Sequence, residues 1–150
     1  MRRRGVGRSR GSVQTAVRLG IGLVAVLQND EVRRALRGAS GGLRRWALGR
    51  RDQHALTAHE RRGPLARLDD RFGTGSLERR VDSIADVIPE ITALRPELAA
   101  EFRTAEGDLR RAVNVAGRMP AAKRWRAQRA IGSQLDEIEK SLIDAVLSPR

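Results

Sequence analysis

Residues 76–117 read SLERRVDSIADVIPEITALRPELAAEFRTAEGDLRRAVNVAG, and this stretch decides the fold. Apolar residues recur in it at alternating steps of four and three, a spacing that keeps side chains on one side of an α-helix. A single register holds throughout, except at Arg95. The stretch therefore predicts helices that pack along an apolar seam. The seam positions are Leu77, Val81, Ile84, Ile88, Ile91, Leu98, Phe102, Ala105, Leu109, Ala112 and Ala116.

Two prolines, Pro89 and Pro96, lie inside this pattern. Proline costs about 3 kcal/mol in a helix interior but is well tolerated at the first helical position. We therefore expect a break within residues 87–95 and a new helix that begins at Pro96. A continuous kinked helix remains an alternative, because both prolines fall on the side opposite to the seam.

A further helix is predicted over residues 121–147, after the stop signal Gly117-Arg118-Met119-Pro120. Its register does not continue the earlier one, which favours a turn and an antiparallel return. The predicted fold is all-α, a helical hairpin or three-helix bundle with coiled-coil-like packing. The seam is long for so thin a unit, so we expect it to dock a partner helix or a second copy of the chain. In the last helix the seam positions are Ile131, Leu135, Ile138, Leu142 and Val146.

Positive charge is concentrated in the first half of the chain. Residues 1–75 carry 17 arginines and 6 acidic residues, whereas residues 76–150 carry 13 basic and 12 acidic residues. Such a surface attracts phosphate groups of any kind, on lipids or on nucleic acids. The predicted anion-binding residues are Arg2, Arg3, Arg4, Arg8, Arg10, Arg33, Arg34, Arg37, Arg44, Arg45 and Trp46.

An apolar helix is predicted at residues 13–28, within this basic half. Its uncharged run, residues 19–27, spans about 14 Å as a helix, against about 30 Å for a bilayer core. No small-residue cleavage site follows it, so neither a spanning helix nor a cleaved signal is expected. The helix either joins the core or lies in a membrane interface. In the second case the inserting residues are Leu19, Ile21, Leu23, Val24, Val26 and Leu27.

Three regions are predicted from these patterns. Residues 1–50 form a basic, partly disordered helical arm, residues 51–75 a linker rich in glycine, and residues 76–150 a helical interaction module. Within the arm, Asn29 or Asp30 caps a short helix that the glycines of residues 38–42 end or kink. Ser76 is expected to cap the first helix of the module.

No residue pattern indicates catalysis. The chain has no cysteine. His54 and His59 are five residues apart where a zinc-protease pair needs four, and the glutamate follows the second histidine instead of the first. We interpret both as solvated loop histidines. No catalytic, cofactor-binding or metal-binding residue and no small-molecule substrate is therefore predicted, and the protein is not expected to be an enzyme.

The sequence best fits an adaptor or scaffold that places a helical interaction module at an anionic membrane surface. A small basic protein associated with nucleic acid is the alternative, favoured by charge alone because aromatic stacking residues are scarce. The expected location is the cytoplasm, with peripheral attachment to the inner face of the membrane as an option.

Overall fold

The computed structural model describes residues 8–39, 41–59 and 73–147, and within these ranges every regular element is a helix. The all-α class is therefore confirmed, as a packed helical bundle. The six helices are α1 (Arg8–Leu27), α2 (Asp30–Arg37), α3 (Gly41–His59), α4 (Thr74–Leu94), α5 (Pro96–Gly117) and α6 (Ala121–Leu147).

Helices α4 and α5 form an antiparallel hairpin with a break of a single residue. Arg95 adopts an extended conformation (φ −150°, ψ 98°), and α5 begins directly after it at Pro96. The predicted break and the predicted helix start are both confirmed. Pro89 lies inside α4, where its ring is exposed to solvent. Arg110 of α5 contacts α4 across the hairpin, where its Nη2 donates to Asp82 Oδ1 at 2.8 Å.

Helix α6 lies at the centre of the bundle and packs against each of the other five described helices. It runs parallel to α4, because Gln128 contacts Thr74 while Arg80 contacts Asp136. Twelve of its 27 residues are buried. A seam of two positions in seven would bury only about eight, so α6 needs partners on more than one side.

Helix α1 covers α5 and α6 and is part of the bundle. Leu23 and Leu27 are 3% and 1% exposed, so the prediction that they insert into lipid is wrong for this fold. Val24 and Val26 also pack against the core. Leu19 and Ile21 remain exposed, at 37% and 59%. The region predicted as an arm thus supplies one wall of the core.

Close approach of α1 to α6 depends on Gly20. A Cβ at this position would lie 2.5 Å from Cγ of Gln134, well inside van der Waals contact. Leu27, further along α1, lines a cleft together with Ser141 of α6. The two helices therefore run parallel and begin at the same end of the bundle.

Helices α2 and α3 return the chain to that end. Asn29 caps α2 through its side chain, which accepts from the Glu31 backbone N–H at 2.9 Å, as predicted. Helix α3 runs antiparallel to α4, and its start is capped by Glu90, whose carboxylate accepts from the Leu43 N–H. A Cβ on Gly42 would collide with that carboxylate, which explains why a glycine is needed there.

The predicted linker and cap need correction. Helix α3 continues to His59, so residues 51–59 are helical, while residues 60–72 lie outside the described residues. Helix α4 begins at Thr74 after Gly73, two residues before the cap expected at Ser76. Tertiary contacts extend both helices beyond what their glycines suggested.

The predicted seam lies inside the chain. It is buried between the protein's own helices, so it is not an exposed stripe awaiting a partner helix or a second copy. The expectation that it docks another helix followed from a hairpin without α1–α3, whereas these helices cover it. All of the seam residues belong to the core: Leu77, Val81, Ile84, Ile88, Ile91, Leu98, Phe102, Ala105, Leu109, Ala112, Ala116, Ile131, Leu135, Ile138, Leu142 and Val146.

A first prediction tests the register of α5. Leu109 is 1% exposed, so Leu109→Asp places an unpaired carboxylate in the core and should lower the free energy of unfolding by roughly 4 kcal/mol. Arg103 is exposed on the same helix, and Arg103→Ala should cost less than about 0.5 kcal/mol. Urea denaturation of the two variants measures the difference. Equal midpoints would show that the register is wrong.

A second prediction tests the α1–α6 contact with a matched pair of glycines. A Cβ on Gly22 meets no atom within 4 Å, so Gly22→Ala should stabilise the protein by about 0.5–1 kcal/mol through helix propensity. Gly20→Ala gains the same propensity but displaces buried Gln134, and overpacking of this kind typically costs about 1–3 kcal/mol. Thermal melts should therefore rank Gly22→Ala above Gly20→Ala. The reverse order would mean that α1 does not pack closely on α6.

Candidate functional site

A buried ion-pair network joins α3, α4 and α6. Glu139 of α6 is 1% exposed, and Arg80 of α4 donates to it from Nε at 3.1 Å and from Nη2 at 3.0 Å. The same Nη2 donates to Asp136 at 2.7 Å. His54 of α3 places Nε2 at 2.7 Å from Glu139 Oε2, the oxygen that also accepts from Arg80 Nη2. Since a carboxylate only accepts hydrogen bonds, His54 Nε2 carries the proton.

The network holds Glu139 ionised. Burial alone would raise the pKa of its carboxyl group, but hydrogen bonds from His54 and Arg80 and the charges of Arg80 and Arg50 outweigh burial and lower the pKa from 4.5 to about 2. For Arg80 burial has the opposite sign and lowers the pKa of the guanidinium. Its hydrogen bonds and ion pairs with Glu139 and Asp136 outweigh burial, so the pKa of Arg80 is raised above its ordinary value. Each charge is therefore stabilised by its partner.

A second layer of polar contacts supports the network. Ser83 accepts from Trp46 Nε1 at 2.8 Å and from Arg50 Nε at 3.2 Å. Arg50 also donates to Gln53 at 2.9 Å, and its burial lowers the pKa of its guanidinium. Trp46 is partly buried against the core. The bonds to Ser83 join α3 to α4, through residues that precede His54 along α3.

The contacts of this cluster indicate a structural role, in which it joins α3, α4 and α6. Ligand atoms of His54, Asp136 and Glu139 lie within 4.8 Å of one another, a spacing that would suit a metal ion. Arg80, however, bonds to both carboxylates and already supplies the compensating positive charge. A divalent cation placed there would face that guanidinium at close range and would have to break its hydrogen bonds. We therefore interpret the cluster as an ion-pair network rather than a metal or catalytic site.

A cluster of exposed cations is the second feature. It lies at the end of the bundle where α1, α4 and α6 begin, and we call this end the basic end. No acidic residue occurs between Asp108 and Asp136. None of the basic side chains at the start of α6 forms an ion pair with another described residue. The exposed cations of the basic end are Arg118, Lys123, Arg124, Arg126 and Arg129.

These cations do not stabilise the helix that carries them. The first turn of α6 contains no acidic residue, while Lys123 and Arg124 lie in it. A helix N-terminus bears partial positive charge, so cations there are unfavourable by a few tenths to about 1 kcal/mol each. A local sequence choice that opposes stability points to a role outside folding.

Trp125 is exposed among these cations. Its side chain is 47% exposed, and the Arg129 guanidinium lies 5.3 Å from its ring centroid. Arginine thus covers one face of the ring by a cation–π contact. The rest of the indole remains available to solvent or to a ligand.

The predicted anion-binding residues do not form one patch. Helix α1 begins with Arg8 and Arg10 at the basic end, whereas α2 and the start of α3 lie at the opposite end, about 30 Å away along a 20-residue helix. Arg34, Arg44 and Arg45 are exposed there. Arg33 and Arg37 are half-buried, and Arg2, Arg3 and Arg4 lie outside the described residues.

The sequence analysis missed the buried network. His54 was expected in a loop, but it lies on α3 with its side chain against Glu139, so that interpretation is wrong. A signal was present in α6: Glu139 lies seven residues from both Gly132 and Val146, which are buried. A charge that interrupts a column of buried positions requires an internal partner. Arg80 likewise stands at the start of a column that continues with buried Val87 and partly buried Leu94.

Within the described ranges, no helix combines the length and the hydropathy that a bilayer span requires.

A third prediction concerns acid stability. Because the pKa of Glu139 is lowered on folding, its contribution is complete above pH 4.5 and is lost as the pH falls toward 2; the shift corresponds to about 3 kcal/mol. Glu139→Gln leaves Arg80 without its main partner and should destabilise the protein by about 3–5 kcal/mol at pH 7. It should also remove most of the pH dependence between 4.5 and 2.

The matched control is Glu137→Gln, an exposed carboxylate two residues away on the same helix. It should change the free energy of unfolding by less than about 0.5 kcal/mol. Urea denaturation at several pH values distinguishes the variants. If both lose stability alike, Glu139 is not held by a buried network.

Comparison with known proteins gives one match. No curated protein and no solved structure matches the chain. One family model matches residues 46–148, which includes all of α4–α6 and α3 from Trp46 onward. Every residue of the buried network falls within the match, whereas α1 and α2 precede it. The chain belongs to the family described as "Family of unknown function (DUF6474)".

Proposed function

We propose that the protein is a non-enzymatic adaptor or scaffold that attaches to an anionic membrane surface as a peripheral protein. The observation that carries this proposal is the basic end. Its exposed cations are Arg118, Lys123, Arg124, Arg126 and Arg129, and the sequence has no acidic residue in residues 1–29 or 109–135. The fold brings the start of α1 to the same end of the bundle as the start of α6.

Charge arranged in this way favours a surface ligand over a small molecule. Clustered basic residues attract anionic lipid by about 1 kcal/mol per residue near the membrane. An exposed tryptophan beside them is typical of membrane interfaces. The His54–Arg80–Asp136–Glu139 cluster is internally paired, which argues against its use as a reaction centre.

The adaptor part of the proposal requires a protein-binding surface other than the seam. Two large apolar side chains are exposed on α3, Leu48 at 41% and Leu56 at 62%. They lie eight residues apart, so they project from similar sides of the helix. These positions are the ones to substitute when a protein partner is sought.

A fourth prediction tests membrane attachment. Arg124→Gln with Arg126→Gln removes two charges from the basic end and should weaken binding to phosphatidylserine-rich vesicles roughly thirtyfold, which corresponds to about 2 kcal/mol. The control is Arg44→Gln with Arg45→Gln, two exposed arginines at the opposite end. This pair should have little effect. Vesicle sedimentation over a salt series gives both affinities.

Nucleic acid is the competing partner, and the same proteins test it. Binding that is nearly all charge should decline steeply with salt, as counterions replace the protein on phosphate. If the chain binds duplex DNA more tightly than anionic vesicles at every salt concentration, the membrane proposal is wrong and the nucleic-acid alternative replaces it. Equal losses in the two double variants would contradict the basic end as the site.

A further inference from the structure

We infer that the bundle docks end-on, with Trp125 seated at the headgroup level of an anionic bilayer and the first turns of α6 as the lipid-binding site. This inference rests on the proposed membrane attachment and names its contact residues. It replaces the side-on mode that the apolar sequence of α1 suggested, in which α1 itself lies in the interface.

An exposed apolar side chain lies among the charges of the basic end. Trp125 lies between Arg124 and Arg126, on the helix that also carries Lys123 and Arg129. An amphipathic ring flanked by cations matches the headgroup region, where phosphates are adjacent to the upper acyl chains. One residue segment thus supplies both a charge contact and an apolar contact.

Helix α1 offers less of this combination, because a single exposed cation, Arg18, lies beside its exposed Leu19 and Ile21, whereas four exposed cations surround Trp125. Its most exposed apolar residue, Ile21, lies beside Gly20, which faces Gln134 of α6. Nine residues of helix separate Gln134 from Trp125, which is about 13 Å. Leu23 and Leu27 are in the core, so side-on insertion would require α1 to leave the bundle. End-on docking requires no change in fold.

The aromatic content favours lipid over single-stranded nucleic acid as the occupant, and duplex DNA is left to the experiment below. Proteins that bind single strands stack successive bases on several aromatic side chains. The whole chain has two tryptophans, two phenylalanines and no tyrosine. Phe102 is buried and Trp46 is hydrogen-bonded to Ser83. Trp125 is then a single exposed ring among the described residues, which suits an interfacial anchor better than a stacking platform.

The scarcity of tryptophan makes a direct experiment possible. In a Trp46→Phe background of the full chain, Trp125 is the sole source of indole fluorescence. On addition of phosphatidylserine-rich vesicles, its emission should shift to shorter wavelength, and lipids brominated near the headgroup should quench it. Phosphatidylcholine vesicles should produce neither effect.

Two substitutions of exposed apolar residues compare the orientations. Trp125→Ser should weaken the vesicle binding that persists at high salt by about tenfold, because it removes the contact that salt does not screen. Ile21→Ser should leave that binding unchanged. Both residues are largely exposed, so circular dichroism melts should show that both variants remain folded.

The outcomes separate this inference from the proposed function. If vesicles sediment the protein while Trp125 emission stays unchanged, end-on docking is wrong and membrane attachment stands. A loss of binding in Ile21→Ser rather than in Trp125→Ser would establish the side-on mode and overturn the inference. If no anionic vesicle binds the full chain, both proposals fail. If duplex DNA quenches Trp125 where vesicles do not, the site is real but its occupant is nucleic acid, which also overturns the inference.

Discussion

The constraint on which this bundle depends is the wide buried face of α6. Residues on opposite sides of this helix, Gln134 and Ile143, are both buried. A hairpin of α4 and α5 covers only part of such a face, so the remainder must be covered by other helices. Helices α1, α2 and α3 do so, and burial of apolar area at about 25 cal/mol per Å² supplies the driving force. Burial of the wide face of α6 therefore requires helices from the first half of the chain.

Several polar contacts place α3 on this framework, and the one to Glu139 is the most deeply buried. A buried carboxylate such as Glu139 is costly without partners, and Arg80 and His54 come from two different helices to satisfy it. Well-packed apolar residues often match a buried ion pair in stability, so the contribution of the pair is better understood as selecting one arrangement of helices. Shifting α3 by a single residue would misplace His54.

The two features described here have different relations to stability. The ion-pair network lies inside the bundle and each of its charges is compensated. The cations at the start of α6 are exposed and oppose the helix dipole. Only the second arrangement leaves its interaction energy available for a ligand. The family match contains both α6 and the network but begins after α2, so Trp125 and its neighbours are a feature to compare across that family.

The helical class and the seam residues of α4–α6 follow from the sequence alone, because they depend on local periodicity. Local signals also narrowed the α2 cap to Asn29 or Asp30, and the region between α4 and α5 to a break or a kink within residues 87–95. Tertiary structure alone decided three other points. It buried Leu23 and Leu27, since an apolar helix is compatible with either core or interface until its neighbours are known. It joined His54, Arg80 and Glu139, which are far apart in sequence. Finally, it separated Arg44 and Arg45 from the basic end, because net charge does not specify where side chains lie in space.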